Sequence, residues 1–170
     1  MDTYLEFIIR KKYTFGKIVL LIFLYTLASV LSVGVFLVAI TSPVVMQLSG
    51  FLIALLFFCV WFVHKKLSVE YEYILTNDEL DVDRIVAKRS RKRLVTVSVK
   101  NFDEFGQVED NSIFKRKREF KVVLDASIGK DSINRCYATF YNKHGDRMLL
   151  IFNPTSKMTD AFKIYNKNIK

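Results

Sequence analysis

The sequence predicts a membrane α-helical hairpin joined to a cytoplasmic, mainly-β domain. Three observations predict it: two long apolar runs stand almost back to back near the N-terminus, cations flank only their outer ends, and beyond Lys66 the hydrophobic period changes from helical to alternating. Although 51% of the residues are apolar, they concentrate between Lys17 and His64. One water-soluble core would spread them more evenly.

From Ile18 to Ile40 the chain runs 23 residues without a charge. As a helix this reaches roughly 35 Å, more than a bilayer hydrocarbon core. After Thr41, Ser42 and Pro43, the 20 residues Val44 to Val63 carry Gln47 as their only strongly polar side chain. Backbone amides in hydrocarbon need internal partners, so both runs are expected as uninterrupted helices, 18–40 and 44–63, within a hairpin over 17–64. Pro43 suits the first turn of the second helix. A cleaved signal peptide fits poorly, because the first run is too long for an h-region and a second run follows at once. Ala28 with Ser32, and Gly50 with Ala54, are small residues four apart that permit close helix approach within the hairpin.

Arg10, Lys11, Lys12 and Lys17 precede the first helix and His64, Lys65 and Lys66 follow the second, whereas the linking turn has no cation. The positive-inside rule then places both termini in the cytoplasm, as expected for a two-helix protein of the cytoplasmic (inner) membrane, with Trp61 near the inner headgroups. Neither run contains Asp, Glu, Lys, Arg or His, the usual mark of an ion path or an intramembrane active site. Transport or intramembrane proteolysis by this chain alone is therefore not expected. Residues 1–16 set Tyr4, Leu5, Phe7, Ile8 and Ile9 beside cations, which reads as a cytoplasmic interfacial segment.

Residues 67–170 are long enough for one independent core. Val69, Tyr71, Tyr73 and Leu75 alternate with polar residues, Thr76 to Glu79 supply turn chemistry, and Leu80 and Val82 resume the alternation. The pattern slips after Asp83, which predicts a bulge. Val95, Val97 and Val99 mark a third strand, and Phe102 and Phe105 close the core edge. Gly106 to Glu119 reads as a charged loop leading into a strand around Phe120, Val122 and Leu124. Arg135 to Tyr141 and Arg147 to Phe152 then form a hairpin about Asn142–Asp146. Asn153 reads as a helix N-cap with Pro154 at the first helical position, and Met158, Ala161, Phe162 and Tyr165 form one apolar face.

The opening VEYEYILTNDELDVDR, the basic RIVAKRSRKRLVTVSVKNFDEF and the closing YATFYNKHGDRMLLIFNPTSKMTDAFKIY together resemble the bacterial pleckstrin-homology-like (PH-like) domain. The resemblance covers roughly residues 68–167. It implies a bent antiparallel sheet of about seven strands capped by a C-terminal helix, and a binding or assembly module, not a catalyst. It implies no ligand. Inositide-binding relatives place cations around the first hairpin, where this chain has Asn77, Asp78 and Glu79, then Asp81 and Asp83.

The net charge of +9 points to an anionic partner. Two clusters carry the expectation: Lys88, Arg89, Arg91, Lys92 and Arg93 in the connection before the third strand, and Lys115, Arg116, Lys117 and Arg118 in the later loop. Tethered near an anionic leaflet, each cation contributes roughly 1 kcal/mol. The competing reading takes them as solvated strand ends whose charges balance nearby acids. Nucleic acid is not expected, since neither cluster is interleaved with aromatics. Cys59 and Cys136 share no short spacing with each other or with a histidine, so no zinc site, disulfide or other cofactor is expected. Asp81 and Asp83 lack a third ligand, and His144 reads as a turn residue. The sequence thus predicts a non-enzymatic, membrane-anchored binding or scaffold protein contacting the bilayer, anionic lipid or a partner membrane protein. An accessory subunit of a membrane enzyme or transporter is the alternative.

Overall fold

The computed structural model describes residues 3–108, 113, 116–167 and 169. The chain divides into two compact units: Tyr13–Ser68, and Met1–Lys12 together with Val69–Lys170. The first unit is a pair of helices, α1 (Phe15–Thr41) and α2 (Pro43–Leu67), which contain the expected spans and turn about Ser42. Both are long and apolar enough to cross a membrane, with mean hydropathies of 2.5 and 2.3. Their outward surface is apolar: Phe23, Val30, Leu37, Val44 and Phe51 are all more than half exposed. Water does not tolerate so much contiguous hydrocarbon, whereas lipid does.

Hydroxyls along α1 bond back to the helix itself, Ser29 to the Tyr25 carbonyl at 2.9 Å and Ser32 to that of Ala28 at 2.7 Å. These two hydroxyls need no water. Ala28 is buried, as close packing at small residues requires. Gly50 is not so used, because a side chain there would meet nothing within 4 Å. At the end of α2, Lys65 lies 5.0 Å from the Trp61 ring centre and Lys66 lies 4.5 Å from that of Phe62. Cations over aromatic faces suit a headgroup boundary.

The second unit is built from eight strands: β1 (Tyr4–Arg10), β2 (Val69–Thr76), β3 (Glu79–Val86), β4 (Ser90–Ser98), β5 (Glu104–Gln107), β6 (Val122–Asp125), β7 (Cys136–Tyr141) and β8 (Arg147–Phe152). One sheet has the order β1-β2-β3-β4 and the other β5-β7-β8-β6. A C-terminal helix, α3 (Ser156–Tyr165), closes the core. A mainly-β domain capped by a C-terminal helix is what the PH-like resemblance implied; its strands, eight where about seven in one bent sheet were expected, lie in two four-stranded sheets. In one detail the sheet is not antiparallel, since β6 runs parallel to β8.

The extra strand corrects the reading of residues 1–16 as an interfacial segment. Tyr4–Arg10 pairs antiparallel with β2 along its whole length, Tyr4 opposite Thr76 and Arg10 opposite Glu70. Its alternation explains why: Leu5, Phe7 and Ile9 share the face of Tyr71, Tyr73 and Leu75, and Ile9 is only 4% exposed. The helical hairpin is therefore inserted, in sequence, between two strands of one sheet.

Tyr73, Leu75, Leu80, Val82, Phe140, Phe152, Met158 and Phe162 are almost fully buried and form the centre of the core. Phe162 of α3 meets Phe105 edge-on at 5.6 Å and Phe102 at 6.0 Å. Such pairs add about 0.5–1.5 kcal/mol each beyond their burial. Beyond the helix, Asn166 donates to the carbonyls of Val99 and Phe102 at 3.0 and 3.1 Å, fastening α3 to the first sheet's exit. The N-cap of α3 is Thr155, which accepts from the Met158 amide at 3.3 Å; it is not Asn153. The Asn153 side chain is committed instead to the loop between β6 and β7, where it accepts the Ile128 amide.

Candidate functional site

The cluster placed before the third strand lies partly within it. β4 starts at Ser90, so Arg91, Lys92 and Arg93 are strand residues, while Lys88 and Arg89 belong to the turn from β3. The expected bulge falls where β3 reaches Asp83, but the additional residue, Leu94, is in β4: Val82 faces Val95 and Asp83 faces Arg93. β3 itself keeps its phase with β2.

Strand register decides the fate of each cation. Arg91 and Arg93 emerge on the face of the first sheet that carries Glu72, Asp81 and Asp83. Arg91 pairs with Glu72; Arg93 holds Asp83 at 2.9 Å and Asp81 at 2.8 Å. Glu72 and Asp83 are 1% and 2% exposed, so the guanidiniums cover carboxylates that would otherwise be buried unpaired. Burial still pushes the Glu72 carboxyl above its ordinary range, against the opposing pull of Arg91. These two arginines are therefore ion-paired within the sheet. The same pairing occupies Asp81 and Asp83. Among the described residues no group of three or more His, Cys, Asp and Glu gathers to hold a metal ion.

Lys88, Arg89 and Lys92 are exposed and have no ion pair to any described residue. Lys92 stands directly opposite Arg84, also exposed, in the β3–β4 ladder. Like charges facing each other across strands repel. The turn that joins the two strands is strained as well: Ala87 and Lys88 both take left-handed backbone, φ 56° and 57°, and the Arg89 amide closes the turn on the Val86 carbonyl at 3.1 Å. A tight turn whose two central residues both take left-handed backbone ordinarily uses Asn and Gly there. Here non-glycine residues hold the conformation and present Lys88 and Arg89 at its tip.

This turn shares its end of the sheet with the two chain connections to the helical hairpin. Val86 is opposite Val69, and the Lys11 amide donates to the Val69 carbonyl at 2.9 Å. Lys11 also reaches the Tyr71 hydroxyl at 3.3 Å and lies 5.4 Å from its ring centre. Arg84, Lys88, Arg89 and Lys92 thus join Lys11 and Lys12 at one end of the domain. Lys11, Lys12 and Arg84 were not picked out with the cluster by sequence reasoning; the period-2 alternation of residues 4–10 was the signal that could have brought the first two in.

The second cluster behaves differently. Arg116 makes paired bonds to Glu104 at 2.9 and 3.0 Å and also holds Glu119 at 3.0 Å. Arg147 joins the same two carboxylates, each at 3.0 Å. These hydrogen bonds hold Glu104 and Glu119 below the ordinary carboxylate range, with Arg116 the largest cause for both. Arg118 is exposed, in the short turn Lys117–Glu119, and Lys115 lies outside the described residues. Arg147 opens β8 beside the β7–β8 turn, whereas the far end of β8 leads through Asn153 to Ile128, whose carbonyl accepts the Lys12 amide at 2.8 Å. The two clusters therefore occupy opposite ends of the domain and are not one surface.

His144 is in the exposed β7–β8 turn, its amide bonded to the Asn142 side chain at 2.8 Å. A cavity of about 310 Å³ between β5, the start of β7 and α3 is lined by Gln107, Cys136, Asp160 and Lys163 among others. Burial pushes the Cys136 thiol up to about 11, so it is not a ready nucleophile at neutral pH. The arrangement with clear chemical meaning is the cationic end, which attracts anions by charge without a built, enclosed pocket.

A family model described as bacterial PH-like domain (DUF6106) matches residues 1–169. The match takes in the helical hairpin and β1 as well as the later strands. No curated protein and no solved structure matches the chain.

Proposed function

Because the chain belongs to this bacterial PH-like domain family, we propose that it is a non-enzymatic, membrane-anchored binding or scaffold protein whose cationic end rests on anionic lipid of the cytoplasmic leaflet. The observation that carries the proposal is the unbalanced set Arg84, Lys88, Arg89 and Lys92 at the end of the sheet where the chain leaves for the hairpin. Cations held within a Debye length of anionic headgroups are attracted to them, and this is the contact the reading requires. Like-charge pairing and turn strain are costs to the isolated domain that an anionic surface offsets. Both termini face the cytoplasm in this reading, following the cations at Lys17 and His64–Lys66.

The full chain in nanodiscs tests it by hydrogen exchange. Amides of residues 86–92 are expected to exchange more slowly in discs of phosphatidylglycerol than in purely zwitterionic discs. The combined substitution Lys88→Ala, Arg89→Ala and Lys92→Ala removes that difference, and Arg118→Ala does not. Equal exchange in the two lipids would overturn the proposal.

A second reading, an accessory subunit of a membrane enzyme or transporter, draws support from β1. It is the terminal strand of its sheet, and Tyr4, Phe7 and Ile8 are 62%, 38% and 50% exposed. An open apolar edge accepts a further strand from another protein. Crosslinking in native membranes from a photoreactive residue at Ile8 separates the readings: one stoichiometric protein adduct favours the subunit, and lipid adducts alone favour the autonomous module.

A further inference from the structure

We propose that the loop between β6 and β7 is a second membrane contact, in which Ile133 enters the lipid interface; the inference rests on the reading that the hairpin end of the domain faces the bilayer. Ile133 is 86% exposed, more than any other large apolar residue described. A single exposed isoleucine is ordinary on a protein surface. What distinguishes this one is the framework that presents it.

Asn153, 4% exposed, uses its whole amide on this loop. Its oxygen accepts the Ile128 amide at 2.9 Å, and its nitrogen donates to the Ile133 carbonyl at 3.0 Å and to the Ser132 hydroxyl oxygen at 3.1 Å. Ser132 in turn donates its hydroxyl to the Gly129 carbonyl at 2.8 Å. The next residue, Asn134, takes left-handed backbone at φ 58°. These bonds fix the loop backbone at Ile128, Gly129 and Ile133; the Ile128 side chain packs against the core and that of Ile133 is exposed.

The foot of the loop is fastened to the hairpin end of the domain. The Ile128 carbonyl accepts the amide of Lys12, and a side chain built on Gly129 would touch the Lys12 Cβ at 3.8 Å. Lys130 and Asp131 are both exposed beside the tip and cancel in charge, while Arg135 is turned inward to Asp125 at 3.1 Å. The tip is therefore neutral in net charge, with Ile133 as its exposed apolar side chain. One isoleucine is far too small a surface for a stable protein interface, which needs roughly 800 Å² from each partner. It is sufficient for shallow insertion beside an existing anchor, where the entropy of association has already been met.

The full chain carrying Cys59→Ser is reconstituted in vesicles of mixed anionic and zwitterionic lipid, with an environment-sensitive fluorophore on Ile133→Cys, Lys88→Cys or Lys143→Cys. Spin-labelled lipid is expected to quench position 133 roughly threefold more than position 143, with aqueous iodide showing the reverse order. Position 88 reports the lipid reading separately: quenching at 88 with position 133 as wet as 143 overturns the loop proposal alone, and wetness at both overturns the two together. A fluorophore can carry itself into lipid, so unlabelled protein is also compared with Ile133→Ser by hydrogen exchange. Protection of residues 130–134 by vesicles that the serine variant loses supports the loop contact; identical protection in the two proteins overturns it.

Discussion

Arg91, half exposed on β4, closes over Glu72 of β2, whose side chain is only 1% exposed. The strand between them, β3, adds Asp83 to the same row, with the Arg91 Nε 3.8 Å from its carboxylate. Removing the guanidinium strands the buried Glu72, while Asp83 keeps Arg93 at 2.9 Å. Arg91→Ala is expected to destabilise the domain by about 1–3 kcal/mol, discounted from a fully buried pair because the arginine is half in water. Glu72→Gln in the same background restores part of the loss. Urea unfolding of the four proteins of this cycle in detergent measures it, and additive effects would show that the two side chains do not act as a pair.

The β3–β4 turn should be less stable than it needs to be. Ala87 takes left-handed backbone, where its Cβ crowds the following carbonyl, at a cost of about 1–2 kcal/mol. Glycine removes the clash but adds flexibility to the unfolded chain. Ala87→Gly is therefore expected to stabilise the domain by about 0.5–1 kcal/mol, read from the urea midpoint. No gain would mean that the turn relaxes without strain and that its shape carries no sign of a constraint on Lys88.

Elements with a long or strict period were legible in the sequence. The helical spans, the β2–β3 and β7–β8 hairpins and the apolar face of α3 all stand where periodicity put them. Strand β1 escaped because seven residues beside a membrane helix read equally well as an interfacial segment; only its register against β2 reveals the core face. The basic residues were legible as charges but not as free or paired charges. Arg93 and Lys92 are neighbours in sequence, yet strand alternation gives the first two carboxylates and leaves the second opposite Arg84. Arg116 and Arg147 likewise meet Glu104 only through the fold. Asn153 and Thr155 are both good cap residues, and tertiary demand on the β6–β7 loop decided between them.

Acid should weaken the network at the far end of the domain. Arg116 and Arg147 hold Glu104 and Glu119 below their ordinary range. A carboxylate depressed in the folded state binds fewer protons there than in the unfolded chain, so its contribution is present above the ordinary glutamate range and is lost as pH falls through the folded value. Glu72 has the opposite sign, because its raised carboxyl favours the folded state at low pH and loses that advantage as pH rises through its folded value. Glu104→Gln is expected to flatten the acid limb of a stability-against-pH curve, and Glu72→Gln to flatten the decline above the ordinary glutamate range. Unchanged limbs in both variants would remove these groups from the pH response.

Arg10 of β1 faces Glu70 of β2, and the whole helical hairpin is inserted between them in sequence. Strands of one sheet lie on one side of a membrane, so a hairpin that spans must leave and return on that side, with Ser42 at the opposite surface. In the orientation proposed from the cations of Lys17 and His64–Lys66, the sheet is cytoplasmic and the uncharged Thr41–Pro43 turn is outside. A cysteine introduced as Ser42→Cys should then react with a membrane-impermeant maleimide on intact cells, while Lys143→Cys reacts only after permeabilisation. The native thiols do not interfere: Cys136 is buried with its ionisation pushed up, and Cys59, in the middle of α2, is removed as Cys59→Ser. Labelling at 143 but not at 42 on intact cells would place the β domain outside and end the case for its contact with the cytoplasmic leaflet.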